Sequence, residues 1–412
     1  MKSGRSLLVY LFIFLSLLAV GCNDPMPTME GTAPSVTGDD RSWLERNRPD
    51  PDAIAGRYII FLDDRLGASE ARNISDELAW KAGGRVEYYL KTLRKGFSAR
   101  LSTEGVARLR SDSRIKRIMS DYRTKVAPRK ERFKGRARKD TTIEKSDPGT
   151  PTPPPDPTST QELPWGIARV GGKSDGQGKV CWIVDTGIDL DNTDLTIDVG
   201  RSRNFVPDGR SSADDGHGHG THIAGIIAAR DNTFGVVGVA AGATVVSVRV
   251  LDNTANGSYA WLLAGLDYIA QNARPGDVVN LSLVGPPEPT IDDAVRRLGD
   301  LGIKVVVAAG NYQSDAGNYT PSRVQHQNVY VVTAISEDGC LGWFSNWGNP
   351  PVTHAAPGVS ILSLAPGGGT VTHTGTSMAA PHVAGLLLVG QLNSDGFACN
   401  DPDGAPDPIA HR

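Results

Sequence analysis

Between Pro164 and about Gln391 two kinds of segment alternate, and no other feature of the chain restricts its fold as strongly. Short, continuously apolar runs such as "KVCWIVD", "TVVSVRV", "DVVNLSL", "KVVVAAG" and "VYVVTAI" are interleaved with helical patterns such as "THIAGIIAA", "YAWLLAGLDYIAQNA", "TIDDAVRRLGDLG" and "SMAAPHVAGLLLVGQL". A strand that is apolar at successive positions has both faces buried, as in a parallel sheet covered by helices on either side. The pattern predicts a doubly wound α/β domain with a mostly parallel sheet, its functional groups at the carboxyl ends of the strands. No internal repeat is found.

The rest of the 412 residues read differently. Lys2 and Arg5 precede the apolar run Leu7 to Val20, which is short for a membrane span. "AVGC" follows, and small residues before Cys22 resemble a bacterial lipoprotein signal whose cysteine is acylated, although Ala19 stands where such signals usually carry Leu. The alternative is an ordinary secretory signal; either way the chain is expected to be exported. Residues 23–52 read as a polar tether. Residues 53–126 give the order β-α-β-β-α-β, a small split βαβ unit, with Ser102 as a helix cap. Residues 127–160 form a basic and then Pro-rich linker, exposed and open to proteolysis. The α/β domain occupies 161–412. Its net charge is -11 and that of residues 1–160 is +8, so the two parts of the chain attract one another and no nucleic-acid patch is required. Export permits a disulfide, for which Cys340 and Cys399 are the pair, whereas Cys181 lies within an apolar run and reads as a buried thiol.

Three motifs carry chemistry. "VCWIVDTGID" ends an apolar strand on Asp185, where an orienting carboxylate or merely a turn-capping Asp would sit. "DDGHGHGTHIAG" places His217, His219 and His222 around the start of a helix, with His219 and His222 on one face. A zinc site using these rings with Asp214 or Asp215 is one reading, and proton transfer by one histidine is another. "THTGTSMAAPHVAG" puts Ser377 at a helix N-terminus, beside backbone N–H groups able to stabilise an oxyanion, with Pro381 in the first turn or so.

Taken together, "DTG", "HGTHIAG" and "GTSMAAPHVAG" in that chain order resemble the subtilisin-like serine peptidases, from Gln161 to about Leu392. The resemblance implies Asp185, His219 and Ser377 as a catalytic triad, leaving His222 to packing and His217 without a role. "VVVAAGNYQ" supplies Asn311 as the oxyanion donor. "NLSLVGP" resembles the edge strand that binds an extended peptide, with Ser282, Leu283 and Gly285 as contacts and Val284 where a small residue is usual. Ala309 and Gly310 help wall the primary pocket, for which an apolar or broad preference is expected. The same resemblance implies a structural Ca²⁺ held by Gln161, Asp194, Asn232 and the carbonyls of Arg230, Phe234 and Val236. It identifies residues 53–126, through "GFSA" and the sequence around it, with the family's inhibitory pro-domain. The expected protein is a monomeric, exported endopeptidase acting on extended polypeptides, inhibited by its own pro-domain and held to a membrane through Cys22 before maturation. A catalytically silent binding module on the same fold is the competing class, although no triad residue is missing. Only 35 residues follow Ser377, and "DPDGAPDPIAHR" reads as a loose tail.

Overall fold

The computed structural model describes residues 51–126 and 160–412. The apolar leader, Cys22, the tether through residue 50, and residues 127–159 of the linker lie outside the described residues.

The apolar runs form the large sheet that their pattern predicts. Thr244–Arg249, Val180–Asp185, Val278–Leu281, Lys304–Ala308 and Val329–Ile335 lie side by side in that order, every neighbouring pair parallel. Their side chains divide with period two. Cys181, Ile183, Val245 and Val306 join one buried cluster with the helices His219–Ala228 and Thr376–Leu388. Trp182, Val184, Val246, Val305 and Val307 join another with the helices Tyr259–Asn272 and Pro289–Asp300. Burial of each such aliphatic side chain is worth about 1.5–3 kcal/mol, which is why alternation with polar residues is absent from these strands.

The chain enters this sheet in the middle, at Val180–Asp185. It adds Thr244–Arg249 on one side and then crosses to Val278–Leu281 on the other. The strand order reverses there, and a crevice opens at such a switch point. Asp185, Ser282 and the loop after Ala308 therefore leave the carboxyl ends of three adjacent strands.

The C-terminal residues do not form a loose tail. Pro408–His411 joins the sheet in parallel beside His354–Pro357, and Asn393–Phe397 pairs antiparallel with it. Ile409 and Ala410 are buried, and a Cys340–Cys399 disulfide ties the segment down. Cys181 is a free, buried thiol.

The N-terminal unit is an antiparallel sheet in the order Ile115–Lys125, Ala53–Leu62, Gly96–Arg100, Val86–Leu90, with the helices Ala68–Lys81 and Thr103–Leu109. Ser102 Oγ caps the second helix, accepting from Gly105 N–H at 3.1 Å. The run "IIFL" of Ile59 to Leu62 is apolar throughout because both faces of its strand are covered. Ile60 and Leu62 pack with Leu78, Val106 and Leu109 of the unit's own helices. Ile59 and Phe61, with Leu90, Leu93 and Met119, join the cluster of Tyr259, Leu262, Leu263 and Ile291 on the α/β domain. The last strand, Ile115–Lys125, reaches onto the α/β domain, where Arg123–Lys125 pairs antiparallel with Asn256–Ser258.

Candidate active site

Asp185 ends the central strand and is fully buried. Its Oδ1 accepts from Thr186 N–H at 2.7 Å and stands 2.7 Å from His219 Nδ1. A carboxylate at Nδ1 makes that nitrogen the proton carrier and leaves Nε2 as the acceptor.

His219 opens the helix His219–Ala228. Gly218 before it has φ 103°, a conformation that favours glycine, and it offers no capping side chain. Asp215 supplies the cap from three residues upstream. Its Oδ1 accepts from His217 N–H (2.9 Å), Gly218 N–H (2.8 Å) and Thr186 Oγ1 (2.9 Å), and its Oδ2 from Thr221 N–H (3.0 Å) and Thr221 Oγ1 (2.7 Å). Helix and strand approach closely here, since a Cβ on Gly220 would stand 2.0 Å from Gly187 O. His222 turns inward, with Nε2 3.0 Å from Ile361 O and 3.1 Å from Val371 O, and burial holds its pKa well below the usual histidine value. His217 lies at the rim, its ring centroid 6.4 Å from that of His219. With Asp215 spent on the cap, His219 Nδ1 on Asp185 and His222 on carbonyls, these rings do not converge on a shared metal.

Ser377 is the second residue of the helix Thr376–Leu388, which starts on Gly375 without a side-chain cap. Pro381 sits in the second turn rather than the first turn suggested by the sequence. Its missing N–H frees the Ser377 carbonyl of a helical donor, and Ser282 Oγ donates there instead at 3.1 Å. Ser377 Oγ in turn donates to Ser282 O at 3.3 Å. His219 Nε2 has no hydrogen-bond partner among the described residues, so hydroxyl and imidazole are not bonded to each other in this state. Asn311 Oδ1 accepts from Thr376 N–H (2.9 Å) and Thr376 Oγ1 (2.8 Å), which fixes the orientation of the amide. A Cβ on Gly375 would stand 3.1 Å from Asn311 Nδ2 and 3.7 Å from Ser377 N. Two nitrogens thus flank one small space that only glycine leaves clear. Sequence reasoning passed over Thr376, although it directly precedes the serine in "GTS".

The predicted substrate contacts divide. Val284, not Gly285, pairs with a strand across the cleft: Lys125 N–H donates to Val284 O at 3.2 Å, Val284 N–H to Lys125 O at 3.1 Å, and Thr124 Oγ1 to Val284 O at 3.0 Å. Gly285 pairs with Thr320 on the other side, and a Cβ there would meet Tyr259 Oη at 2.4 Å. Leu283 and Ala309 are buried. Gly310 N–H donates to Thr376 Oγ1 at 3.0 Å, which makes that glycine a second support for the Asn311 loop.

The family model described as "Subtilase family" matches residues 176–394. The chain belongs to the subtilase family. Its relatives include Subtilisin E of Bacillus subtilis (strain 168), 37% identical over 238 residues, spanning 56% of this chain and 61% of that protein. Subtilisin of Bacillus pumilus is 38% identical over 238 residues, with 56% of this chain and 84% of that protein covered. Alkaline serine exoprotease A of Vibrio alginolyticus is 32% identical over 360 residues, 83% of this chain and 61% of that protein. The matches to Subtilisin E and to the Vibrio protein therefore each span about three fifths of that relative's length. Among solved structures, a cold adapted subtilisin-like serine proteinase superposes with TM-score 0.53 at 30% identity, covering 61% of this chain and 98% of that one.

In this subtilase the six residues of the expected calcium group lie close together. Gln161 Nε2 donates to Arg230 O (2.7 Å), Val236 O (3.3 Å) and Asn232 Oδ1 (3.3 Å). Asn232 Nδ2 donates to Asp194 Oδ1 at 2.7 Å, and Phe234 N–H to Asn232 Oδ1 at 2.9 Å. Asp194 Oδ2 is buried without a hydrogen-bond partner, and desolvation pushes that carboxyl up to about 6. An orphaned carboxylate oxygen facing amides and carbonyls is the donor chemistry of a hard cation. Among the described residues, no helix is long and apolar enough to cross a membrane.

Proposed function

We propose that this subtilase is a serine endopeptidase made as an inhibited, exported precursor. The observation that carries the reading is the buried Asp185–His219 contact at the sheet's switch point, on a helix packed against the one that starts uncapped at Thr376–Ser377. In this reading Ser377 Oγ attacks the scissile carbonyl. His219 Nε2 takes its proton and returns it to the leaving amine, and Asp185 holds the tautomer and stabilises the imidazolium. Asn311 and Ser377 N–H donate to the oxyanion in the space beside Gly375. The 3.3 Å bond of Ser377 Oγ to Ser282 O is then a resting arrangement that a substrate carbonyl displaces.

Residues 53–126 are the inhibitor in this proposal. Support comes from the antiparallel pairing of Arg123–Lys125 with Asn256–Ser258 on one side and of Lys125 with Val284 on the other, the posture of a bound extended peptide. Asp267 adds an anchor, accepting from the N–H groups of Lys91 (2.8 Å), Thr92 (2.7 Å) and Leu93 (2.8 Å). Asp121 Oδ1 accepts from Ala260 N–H at 2.9 Å at the start of Tyr259–Asn272. Gln161, Asp194, Arg230, Asn232, Phe234 and Val236 would hold Ca²⁺, with the glutamine amide turned to present its oxygen. Cys22 anchors the precursor to a membrane, and a cut between Asp121 and Thr160 frees the catalytic domain.

A fluorophosphonate probe tests the core of this reading. Labelling that survives chelator and vanishes in Ser377→Ala is expected; labelling retained in Ser377→Ala overturns it. Fractionation with antibodies to each half tests release. Mature catalytic domain that stays on membranes after high-salt washing and destruction of residues 53–126 rules release out.

A further inference from the structure

The loop Ala398–Asp407 joins the two C-terminal strands and lies beyond residue 394, where the family match ends. It gathers three carboxylates, those of Asp401, Asp403 and Asp407. Asp407 is fully buried; its Oδ2 accepts from Thr333 Oγ1 at 2.7 Å, and its Oδ1 has no hydrogen-bond partner. Both oxygens of Asp401 are inaccessible, and neither makes a hydrogen bond of good geometry. The Asp401 carboxyl lies against that of Asp403 and within electrostatic reach of Asp407. Among the described residues, no Lys, Arg or His pairs with any of the three. Burial and these like-charged neighbours push the Asp407 carboxyl up to about 7 and raise that of Asp401.

Buried carboxylates without a positive partner are costly, and the exposed Asp403 carboxylate beside the half-buried Asp401 adds like charge to the same loop. A cation removes the cost. We propose that Asp401, Asp403 and Asp407 form a calcium site in this C-terminal loop, distinct from the group around Asp194. The donors are all oxygen, with Cys399 committed to its disulfide, which favours a hard cation over zinc. Among the described residues no three His, Cys, Asp or Glu side chains already stand in ligand geometry, so ion binding would draw these carboxylates together. Ca²⁺ takes about six to eight oxygens, and carbonyls of the loop and water supply the remainder. The bound ion would fasten the disulfide-linked segment that completes the edge of the sheet. The inference does not depend on the catalytic reading of Ser377.

Calcium titration calorimetry on the full-length chain carrying Ser377→Ala tests it, because self-cleavage is then absent. Asp401→Asn with Asp407→Asn is expected to bind one Ca²⁺ fewer per chain. It should melt no lower than its parent in EDTA, since the repulsion has gone, yet gain less from CaCl₂. Equal stoichiometry and equal gain overturn the proposal. Should that pair fail to fold, Asp403→Asn alone must weaken binding, and unchanged binding overturns it equally. A second readout leaves the loop intact. In an Asp194→Asn background, CaCl₂ should slow reduction of Cys340–Cys399 by dithiothreitol about tenfold at [Ca²⁺] about ten times Kd, and an unchanged rate counts against the site. The background also separates this site from the other, since only the latter is lost with Asp194.

Discussion

The two helices that begin at the candidate active site start in opposite ways. His219–Ala228 begins on a carboxylate: Asp215 takes the N–H groups of His217, Gly218 and Thr221 and two threonine hydroxyls besides. Thr376–Leu388 begins on Gly375 with no cap, its first N–H held by Asn311. A helix N-terminus carries a partial positive charge and unsatisfied donors. At His219 those donors are spent on rigidity, which sets the imidazole against Asp185. At Ser377 the helix end faces the small space beside Gly375, where negative charge would develop during acyl transfer. In the proposed mechanism the same local feature is a clamp in one place and an electrostatic device in the other; both helices follow a glycine, and the carboxylate of Asp215 makes the difference.

Removing either reacting side chain should have the largest effect. Ser377→Ala or His219→Ala is expected to lower kcat by about 10⁶-fold, the size seen in subtilisin, in a peptide-hydrolysis assay of matured enzyme. Disabling only the open helix end should cost less. Asn311→Ala is expected to lose about 10²–10³ in kcat with KM little changed, again a magnitude known from subtilisin. Gly375→Ala should resemble it, and full activity in both variants would remove the oxyanion role. Breaking the clamp should appear as stability. Asp215→Ala is expected to cost at least about 2 kcal/mol in denaturant unfolding of the Ser377→Ala chain, and an unchanged midpoint would contradict the capping role. Calcium should raise the melting temperature through binding to the folded state, and Asp194→Ala should remove most of that gain. A melting temperature indifferent to both calcium and chelator would sink the site around Asp194. His217→Ala, at the rim, should leave most of the activity; if it proved as damaging as His219→Ala, the assignment of the base would be wrong.

Much of this arrangement is legible in one dimension. Period-two burial of Val305, Val306 and Val307 requires apolar residues at every position, so the parallel sheet announces itself. Asp185, His219 and Ser377 stand at punctuation marks, a strand end and two Gly-flanked helix starts. The cleft edge was harder to read. Val284 and Gly285 are adjacent, and only strand pairing tells which of them faces the partner strand. The C-terminal segment misled for a related reason: "NSDGF" and "PIAH" are too short and polar to signal strands, and they hold their places through one disulfide and a shared edge.

By itself, the sequence determined the layered α/β class, the split βαβ unit, the family and the candidate catalytic residues, because hydrophobic periodicity and short motifs are local. Tertiary structure alone decided that Asp215 caps the histidine helix and that Ser282 satisfies the carbonyl which Pro381 leaves bare. It also decided that Ile59 and Phe61 face a second domain while Ile60 and Leu62 face their own helices. Hydrogen bonds and packing between residues tens to hundreds of positions apart depend on which segments meet, and no local pattern encodes that meeting.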